Sequence, residues 1–383
     1  MKKRVIILGS TGSVGQNTLD VLEGMADEWE LAGLAAFSSH GALAQQANRF
    51  KPEAVAMTNE QCASALDDAL HSCPRLFTGE NALVELVEAV DCDCVVSAVV
   101  GAGGLAATIR AAELGRRIAL ANKEALVIAG SLFVEVVRRS DAEVIPVDSE
   151  HSAIFQALHA GRREDVSKVY LTASGGPFRT WSAEAMGRIT LEDALCHPTW
   201  SMGPKITIDS ATMMNKALEI VEARWLFDLH PDRIEVVVHP ESIVHSLVEF
   251  RDGSVLAQLG TPDMRTPIQY ALTYPKRFEC PSDRLDFSKM TQLNFQPPDL
   301  DRFPALGLGH EVALRGGTAG AVLNAANEAA VEMFRDGEID FLDIARYSER
   351  ALTHHEFNGS PTLDDLLAAD RWARDEVKRC TTC

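Results

Sequence analysis

The stretch Gly9-Ser10-Thr11-Gly12-Ser13-Val14-Gly15 constrains this chain more than any other. It follows a short apolar run, Val5-Ile6-Ile7-Leu8, and leads into a helical pattern through Leu19, Val21 and Leu22. A buried strand, a glycine turn and a helix, in that order, open a doubly wound parallel sheet. The glycines let the backbone approach a pyrophosphate, which rests on the helix N-terminus. The spacing is G-x-x-G-x-x-G rather than G-x-G-x-x-G, and a glycine turn alone is weak evidence. With its flanking strand and helix it makes a dinucleotide site the expectation.

The alternation continues. Strands are expected at Leu31 to Phe37, Ala54-Val55-Ala56, Cys94 to Val100, Arg117 to Leu120 and Glu143 to Val147. Helices are expected over 40–49, 59–69, 79–89, 104–114 and 124–139. The fold class is therefore α/β, with a Rossmann-like sheet over residues 1–147. After the second strand comes Ser38-Ser39-His40, with no Asp or Glu to hold a ribose 2′-hydroxyl, which favours NADP over NAD, although no Arg marks a 2′-phosphate pocket. Ala121-Asn122-Lys123-Glu124 directly follows a strand, where the ligand crevice of such sheets lies, so Lys123 is either a substrate contact or a solvated lysine at a helix start.

At 383 residues the chain is too long for one ordinary core. Its net charge of -19 argues against nucleic acid or an anionic membrane as partner. An acidic protein that binds anions must use local donors. The opening Met1-Lys2-Lys3-Arg4-Val5 enters a strand at once, so no signal peptide is expected, and a cytoplasmic location follows. The eight cysteines are scattered. Cys92 and Cys94 fall in a buried strand, and Cys380-x-x-Cys383 lacks a second pair, so reduced thiols are expected rather than a zinc site.

Asp148-Ser149-Glu150 follows the strand at 143–147, and two carboxylates on one side of an extended backbone call for a cation or a proton between them. Further on, Lys205-Ile206-Thr207-Ile208 alternates like a strand, and Asp209 or Ser210 would cap a helix running through Phe227. Asn215 and Glu219 share a face of that helix, with Lys216 beside them. Taken alone the segment reads as a capped amphipathic helix with a polar face; it can also offer a hydroxyl, an amide and an ammonium to a phosphate, and a carboxylate to a cation. Asp148, Glu150 and Glu219 together are three hard oxygen ligands suited to Mg²⁺ or Mn²⁺.

Ser174-Gly175-Gly176 forms a second candidate phosphate cradle, and the loop from Cys196 to Lys205 reads as a lid or as plain packing. Strands at 234–238, 244–250 and 254–259, with a turn at Arg251-Asp252-Gly253, suggest a separate, mainly antiparallel sheet carrying the carboxylates and phosphate donors. A Pro- and Asp-rich linker at 281–303 then leads to helices at about 304–316, 319–336, 340–354 and 361–379. The expected division is a nucleotide-binding domain at 1–147, a catalytic α+β domain at 148–280, the linker, and a helical domain at 304–383.

Taken together, Gly9 to Gly15, Ala121 to Glu124, Val147 to His151, Ser174 to Phe178, His197 to Gly203, Asp209 to Glu219, Pro262 to Pro267 and Leu323 to Glu328 resemble the 1-deoxy-D-xylulose 5-phosphate reductoisomerase family across nearly the whole chain. That resemblance implies an NADPH- and metal-dependent homodimeric enzyme of the non-mevalonate isoprenoid route, acting on a sugar phosphate. It implies Asp148, Glu150 and Glu219 as metal ligands and, with Lys123, as the catalytic set. Lys123, Ser149 and Glu150 would meet the reacting end of the substrate. Ser174, His197, Ser210, Asn215 and Lys216 would hold its phosphate. Thr11, Gly12, Ser13, Val14, Ser38, Ser39, Asn122, Glu124 and Gly203 would lie on the cofactor, with Met264 near the nicotinamide. His197, Trp200 and Met202 would form the lid. Phe37-Ser38-Ser39, Ala125 and Pro204 depart from the common pattern, which leaves the 2′-phosphate contacts and the stiffness of the lid open. Two other readings compete: an NADP-dependent dehydrogenase of another phosphorylated aldehyde, without rearrangement, and an inactive nucleotide sensor. Plain hydride transfer needs no carboxylate triad, and a sensor would be expected to lose Lys123 or a carboxylate.

Overall fold

The computed structural model describes residues 2–200 and 202–380. The chain divides into two compact units. The first gathers the chain up to Ala125, Phe133–Ser152 and Asp263–Asp283; the second holds Leu126–Leu132, Ala153–Pro262 and the chain from Arg284 onward. Among the described residues no helix is long and apolar enough to cross a membrane.

In the first unit β1 (Lys3–Leu8), β2 (Trp29–Ala36), β3 (Ala54–Met57), β4 (Arg75–Thr78), β5 (Cys94–Ser97), β6 (Arg117–Leu120) and β7 (Glu143–Pro146) form one parallel sheet in the order β4-β3-β2-β1-β5-β6-β7. The apolar run Val5 to Leu8 is wholly buried, as a central strand covered on both faces must be. The strand order reverses between β1 and β5, and this is where the crevice of such sheets opens. The glycine turn leaves β1 at that point. Gly9 has a φ of 86°, and a Cβ there would meet the Ala98 carbonyl oxygen at 2.5 Å. A Cβ on Gly15 would meet Gly9 O at 2.4 Å, so the first turn of the helix Ser13–Gly24 can close on the strand only without a side chain. The edge strand β4 was not among the expected strands, because Arg75-Leu76-Phe77-Thr78 is half-buried or exposed and too short to show a pattern. The helix Arg265–Thr273 returns to this unit and packs against Ser13–Gly24.

In the second unit β8 (Val166–Ala173), β9 (Ile234–Val238), β10 (Val244–Phe250) and β11 (Val255–Leu259) are ordered β11-β10-β8-β9. Only β8 and β9 run parallel. The helix Met214–Leu226 lies against β8 and β9, with Ala217, Leu218, Ile220 and Val221 buried. It also packs against Ala305–Arg315. The four C-terminal helices fall where the apolar spacing puts them: Ala305–Arg315, Ala319–Arg335, Asp343–His354 and Leu363–Cys380. Ala319–Arg335 packs against the last two.

Four local expectations are corrected. Lys205-Ile206-Thr207-Ile208 is not a strand but part of the helix Pro204–Ala211. Pro204 occupies its first turn, Thr207 Oγ1 donates back to Gly203 O at 2.9 Å, and burial of Ile208, Asp209 and Ala211 outweighs the β-propensity of the isoleucines. Asp209 and Ser210 therefore end one helix instead of capping the next, whose N-cap is Met213 at a φ of 61°. Asp148-Ser149-Glu150 is not extended, since the helix Ser149–Ala157 begins at once. Nor does the second sheet carry the carboxylates: Asp148 and Glu150 follow β7, and Glu219, Asn215 and Lys216 ride on a helix. Cys383 and Ser201, named in the sequence motifs, lie outside the described residues.

Candidate active site

The first unit brings the glycine turn, the end of β2 and the ends of β6 and β7 to the carboxyl edge of one sheet. Gly12 is the N-cap of Ser13–Gly24 and makes no side-chain cap, which leaves first-turn N–H groups to serve an anion. Gly12 and Ser13 are exposed, and Thr11 and Val14 half-buried. Gln46 braces the turn: its Oε1 accepts from Ser10 Oγ at 2.7 Å and its Nε2 donates to Ser10 O at 2.9 Å. Gln46 belongs to none of the sequence motifs; its signal is an amide on the helix His40–Phe50 that follows β2. Ser38 and Ser39 are exposed at the end of β2, with Phe37 70 % exposed beside them. Asn122 is buried; it accepts from Ala125 N at 3.1 Å and donates to Gly101 O at 3.1 Å, tying the loops after β5 and β6 together. Glu124 is buried too. Met264 is the N-cap of Arg265–Thr273.

Lys123, at the end of β6, forms an ion pair with Asp148, at the end of β7, and both side chains are largely buried. Ser149 Oγ donates to Glu150 Oε2 at 2.6 Å. The Asp148 carboxylate thus balances the charge of Lys123.

In the second unit the turn after β8 meets the segment before Pro204. His197 Nδ1 accepts backbone N–H bonds from Thr199 at 3.1 Å and Trp200 at 2.9 Å. An atom that accepts twice carries no proton, so the neutral ring holds its hydrogen on Nε2, 3.0 Å from Ser174 Oγ. Burial lowers the pKa of His197, which favours this neutral form. Ser174 Oγ also accepts from Gly176 N at 3.2 Å, so its own hydrogen is left to donate elsewhere. Gly176 is pressed against the end of Pro204–Ala211: a Cβ there would meet Ser210 O at 2.7 Å. Trp200 lies 6.4 Å from the His245 ring. Met202 is half-buried, and Gly203 is exposed at the N-cap of Pro204–Ala211.

Glu219 has no exposed surface. Its Oε1 accepts from Asn215 Nδ2 at 2.5 Å, and Lys216 pairs with its Oε2. A buried carboxylate must be compensated, and here one helix turn supplies both an ammonium and an amide. Asp148, Glu150 and Glu219 are all oxygen donors. Such a set fits a hard divalent cation such as Mg²⁺ or Mn²⁺ and does not fit zinc, which takes nitrogen and sulfur in structural sites.

Three sequence profiles match the chain. One described as 1-deoxy-D-xylulose 5-phosphate reductoisomerase covers residues 5–130, one described as the C-terminal domain of that enzyme covers 144–227, and a DXP reductoisomerase C-terminal domain covers 259–376. The chain is 50% identical over 378 residues to the 1-deoxy-D-xylulose 5-phosphate reductoisomerase of Pelodictyon phaeoclathratiforme, covering 98% of this chain and 99% of that protein. Against the enzyme of the same name from Chlorobium chlorochromatii the identity is 51% over 373 residues, covering 97% and 98%. Among solved structures it is similar to the Zymomonas mobilis enzyme in complex with NADPH, at a TM-score of 0.93 and 43% identity, covering 100% of this chain and 99% of that one. It is equally similar to a DOX-P reductoisomerase in complex with NADPH, fosmidomycin and magnesium, with a TM-score of 0.93, 39% identity and coverage of 99% and 98%.

Proposed function

The chain belongs to the 1-deoxy-D-xylulose 5-phosphate reductoisomerase family, and from that premise we propose that it converts 1-deoxy-D-xylulose 5-phosphate to 2-C-methyl-D-erythritol 4-phosphate, using NADPH and a divalent metal ion. The reaction is a carbon-skeleton rearrangement followed by reduction of the resulting aldehyde. When bound, the metal supplies Lewis-acid stabilisation of negative charge on substrate oxygens, and NADPH supplies the hydride.

The chain's own residues do the remaining work. Asp148, Glu150 and Glu219 would hold the metal. Lys123 and Ser149 would orient the carbonyl and hydroxyl end. Ser174 would donate its hydroxyl hydrogen to the phosphate, fixed by the neutral His197 behind it. Ser210, Asn215 and Lys216 would complete the phosphate site. Thr11 to Val14, Ser38, Ser39, Asn122, Glu124 and Gly203 would meet the cofactor, and Trp200 and Met202 would close over the substrate to exclude water. Binding energy at the remote phosphate then serves to position the reacting end.

The observation that carries this reading is the turn of helix on which Asn215 and Lys216 sit against the buried Glu219. On this reading a hard cation ligand and two anion donors share one helix, an arrangement that plain hydride transfer does not need. The test is NADPH oxidation with 1-deoxy-D-xylulose 5-phosphate and Mn²⁺ or Mg²⁺, repeated with chelator. Metal-dependent oxidation with formation of the branched polyol phosphate is the expected outcome. No oxidation by folded protein that binds NADPH would overturn it.

We also place the enzyme in the cytoplasm, which fractionation of the source cells checks, and as a homodimer, which light scattering on the purified chain checks. The functional division at 1–147, 148–280, 281–303 and 304–383 is checked by limited proteolysis, with first cleavage expected in 281–303.

A further inference from the structure

We propose that Asn327, in the C-terminal helices, is a positioning residue for the phosphate end of the substrate and acts through Asp209. The proposal rests on the function given above. Asp209 is 1 % exposed, on the helix Pro204–Ala211, next in the chain to Ser210. A carboxylate so buried needs charge and hydrogen-bond compensation. Lys205 Nζ lies 2.9 Å from its Oδ2, one turn earlier on the same helix. Asn327 Nδ2 donates to its Oδ1 at 2.8 Å, from 118 residues further along the chain.

Asn327 is wholly buried on Ala319–Arg335, a helix that carries none of the proposed substrate contacts. Its own Oδ1 accepts no hydrogen bond among the described residues. A half-satisfied amide in a helix interface is less stable than an apolar residue of similar shape. Packing alone therefore does not account for it, whereas its bond to Asp209 does. That bond has a charged acceptor, which puts it in the stronger class.

The helix that Asn327 grips packs through its buried Ile208 and Ala211, and the bond from Asn327 adds a directional hold. The helix spans only Pro204–Ala211, and its N-cap Gly203 offers no side-chain bond. It breaks into a left-handed residue at Met213. Neighbouring residues on a helix point roughly 100° apart, so holding Asp209 on the buried side sets the direction of Ser210. Ser210 in turn lies against Gly176, beside Ser174. The C-terminal helices thus set the geometry of the phosphate cradle without touching the substrate.

The test compares Asn327→Ala with Asn324→Ala. Asn324 is an equally buried amide on the same helix, but it bonds Glu328 rather than Asp209. Asn327→Ala should raise KM for the sugar phosphate about tenfold and weaken inhibition by inorganic phosphate by the same factor, as expected for one lost hydrogen bond to a charged group. Its kcat and its KM for NADPH should stay within about threefold, and Asn324→Ala should leave all four quantities within that range. Asn327→Asp, which sets two carboxylates against each other, should be worse, and adding Asp209→Asn should recover most of the loss by exchanging amide and acid.

Unchanged KM and phosphate inhibition in folded Asn327→Ala would overturn the proposal, as would an equal effect of Asn324→Ala. If Asn327→Ala does not fold, the Asp209→Asn/Asn327→Asp pair decides against Asn327→Asp alone, and no recovery overturns it. If the wild type turns over no substrate, the proposed function fails first; calorimetric titration of inorganic phosphate then makes the same comparison, and equal or absent binding in wild type and Asn327→Ala overturns the positioning role independently.

Discussion

Replacing Glu219 by Gln keeps the volume of a side chain that has no exposed surface and removes its charge. Two consequences follow from what surrounds it. Lys216, whose side chain is 5% exposed, loses its ion-pair partner, and the new amide can accept from Asn215 or Lys216 but must present a donor to the other. Breaking a buried pair by removing one partner costs about 3–5 kcal/mol, and the lower end applies here because one hydrogen bond survives. The second consequence concerns the metal. A wild-type protein that binds a cation with Glu219 gains about 2.7 kcal/mol of stability at a hundredfold excess over Kd, and Glu219→Gln should gain little. Turnover at saturating metal should fall at least about a hundredfold, a barrier increase of roughly 2.7 kcal/mol, while NADPH still binds. The assays are absorbance of the reduced nicotinamide during turnover, and thermal melts with metal and with chelator. Turnover within about threefold of wild type, or a metal-dependent melting shift as large as that of wild type, would refute the assignment of Glu219.

Three other outcomes are expected. Burial holds the pKa of His197 below its ordinary value, so the unfolded chain takes up the proton first. Its contribution to stability is complete above about pH 6.5 and is lost as pH falls through the lowered folded value; His197→Gln should flatten that part of the stability–pH curve, measured by denaturant melts. A Cβ on Gly320 would meet Val127 O at 1.9 Å, so Gly320→Ala should destabilise by about 3 kcal/mol, whereas Gly307→Ala, with nothing within 4 Å, should be neutral or stabilising by up to about 1 kcal/mol in the same melts. Cys73 and Cys196 are exposed and should react with a thiol reagent in the native protein; Cys92 and Cys94, whose thiols burial pushes up to about 11 and about 12, should react only on unfolding.

The parallel sheet was legible because its strands are buried on both faces and read as apolar runs, each followed by a helix of regular spacing. The four C-terminal helices were legible for the same reason. β4 was not, since an edge strand that is half-exposed carries no such run. The helix Pro204–Ala211 was misread because alternation over four residues fits a strand and one turn of a buried helix alike, and burial of Ile208 and Asp209 decides between them. Asp148-Ser149-Glu150 failed in the same way: its residue types were informative, its backbone state was not.

The chemistry of the candidate site is a property of residue type and short spacing. A carboxylate four residues from an amide shares a helical face whatever the rest of the fold, and a glycine turn after an apolar strand can receive a phosphate on its N–H groups. These the amino-acid sequence determined alone, along with the family. The partners of each charge were decided only by tertiary structure. That Lys123 meets Asp148, that His197 meets Ser174, and that Asn327 closes on Asp209 across 118 residues all depend on which surfaces pack together. Such pairings bring together groups far apart in the chain, and local pattern holds no record of them because burial, not proximity in sequence, makes an unpaired charge too costly to leave alone.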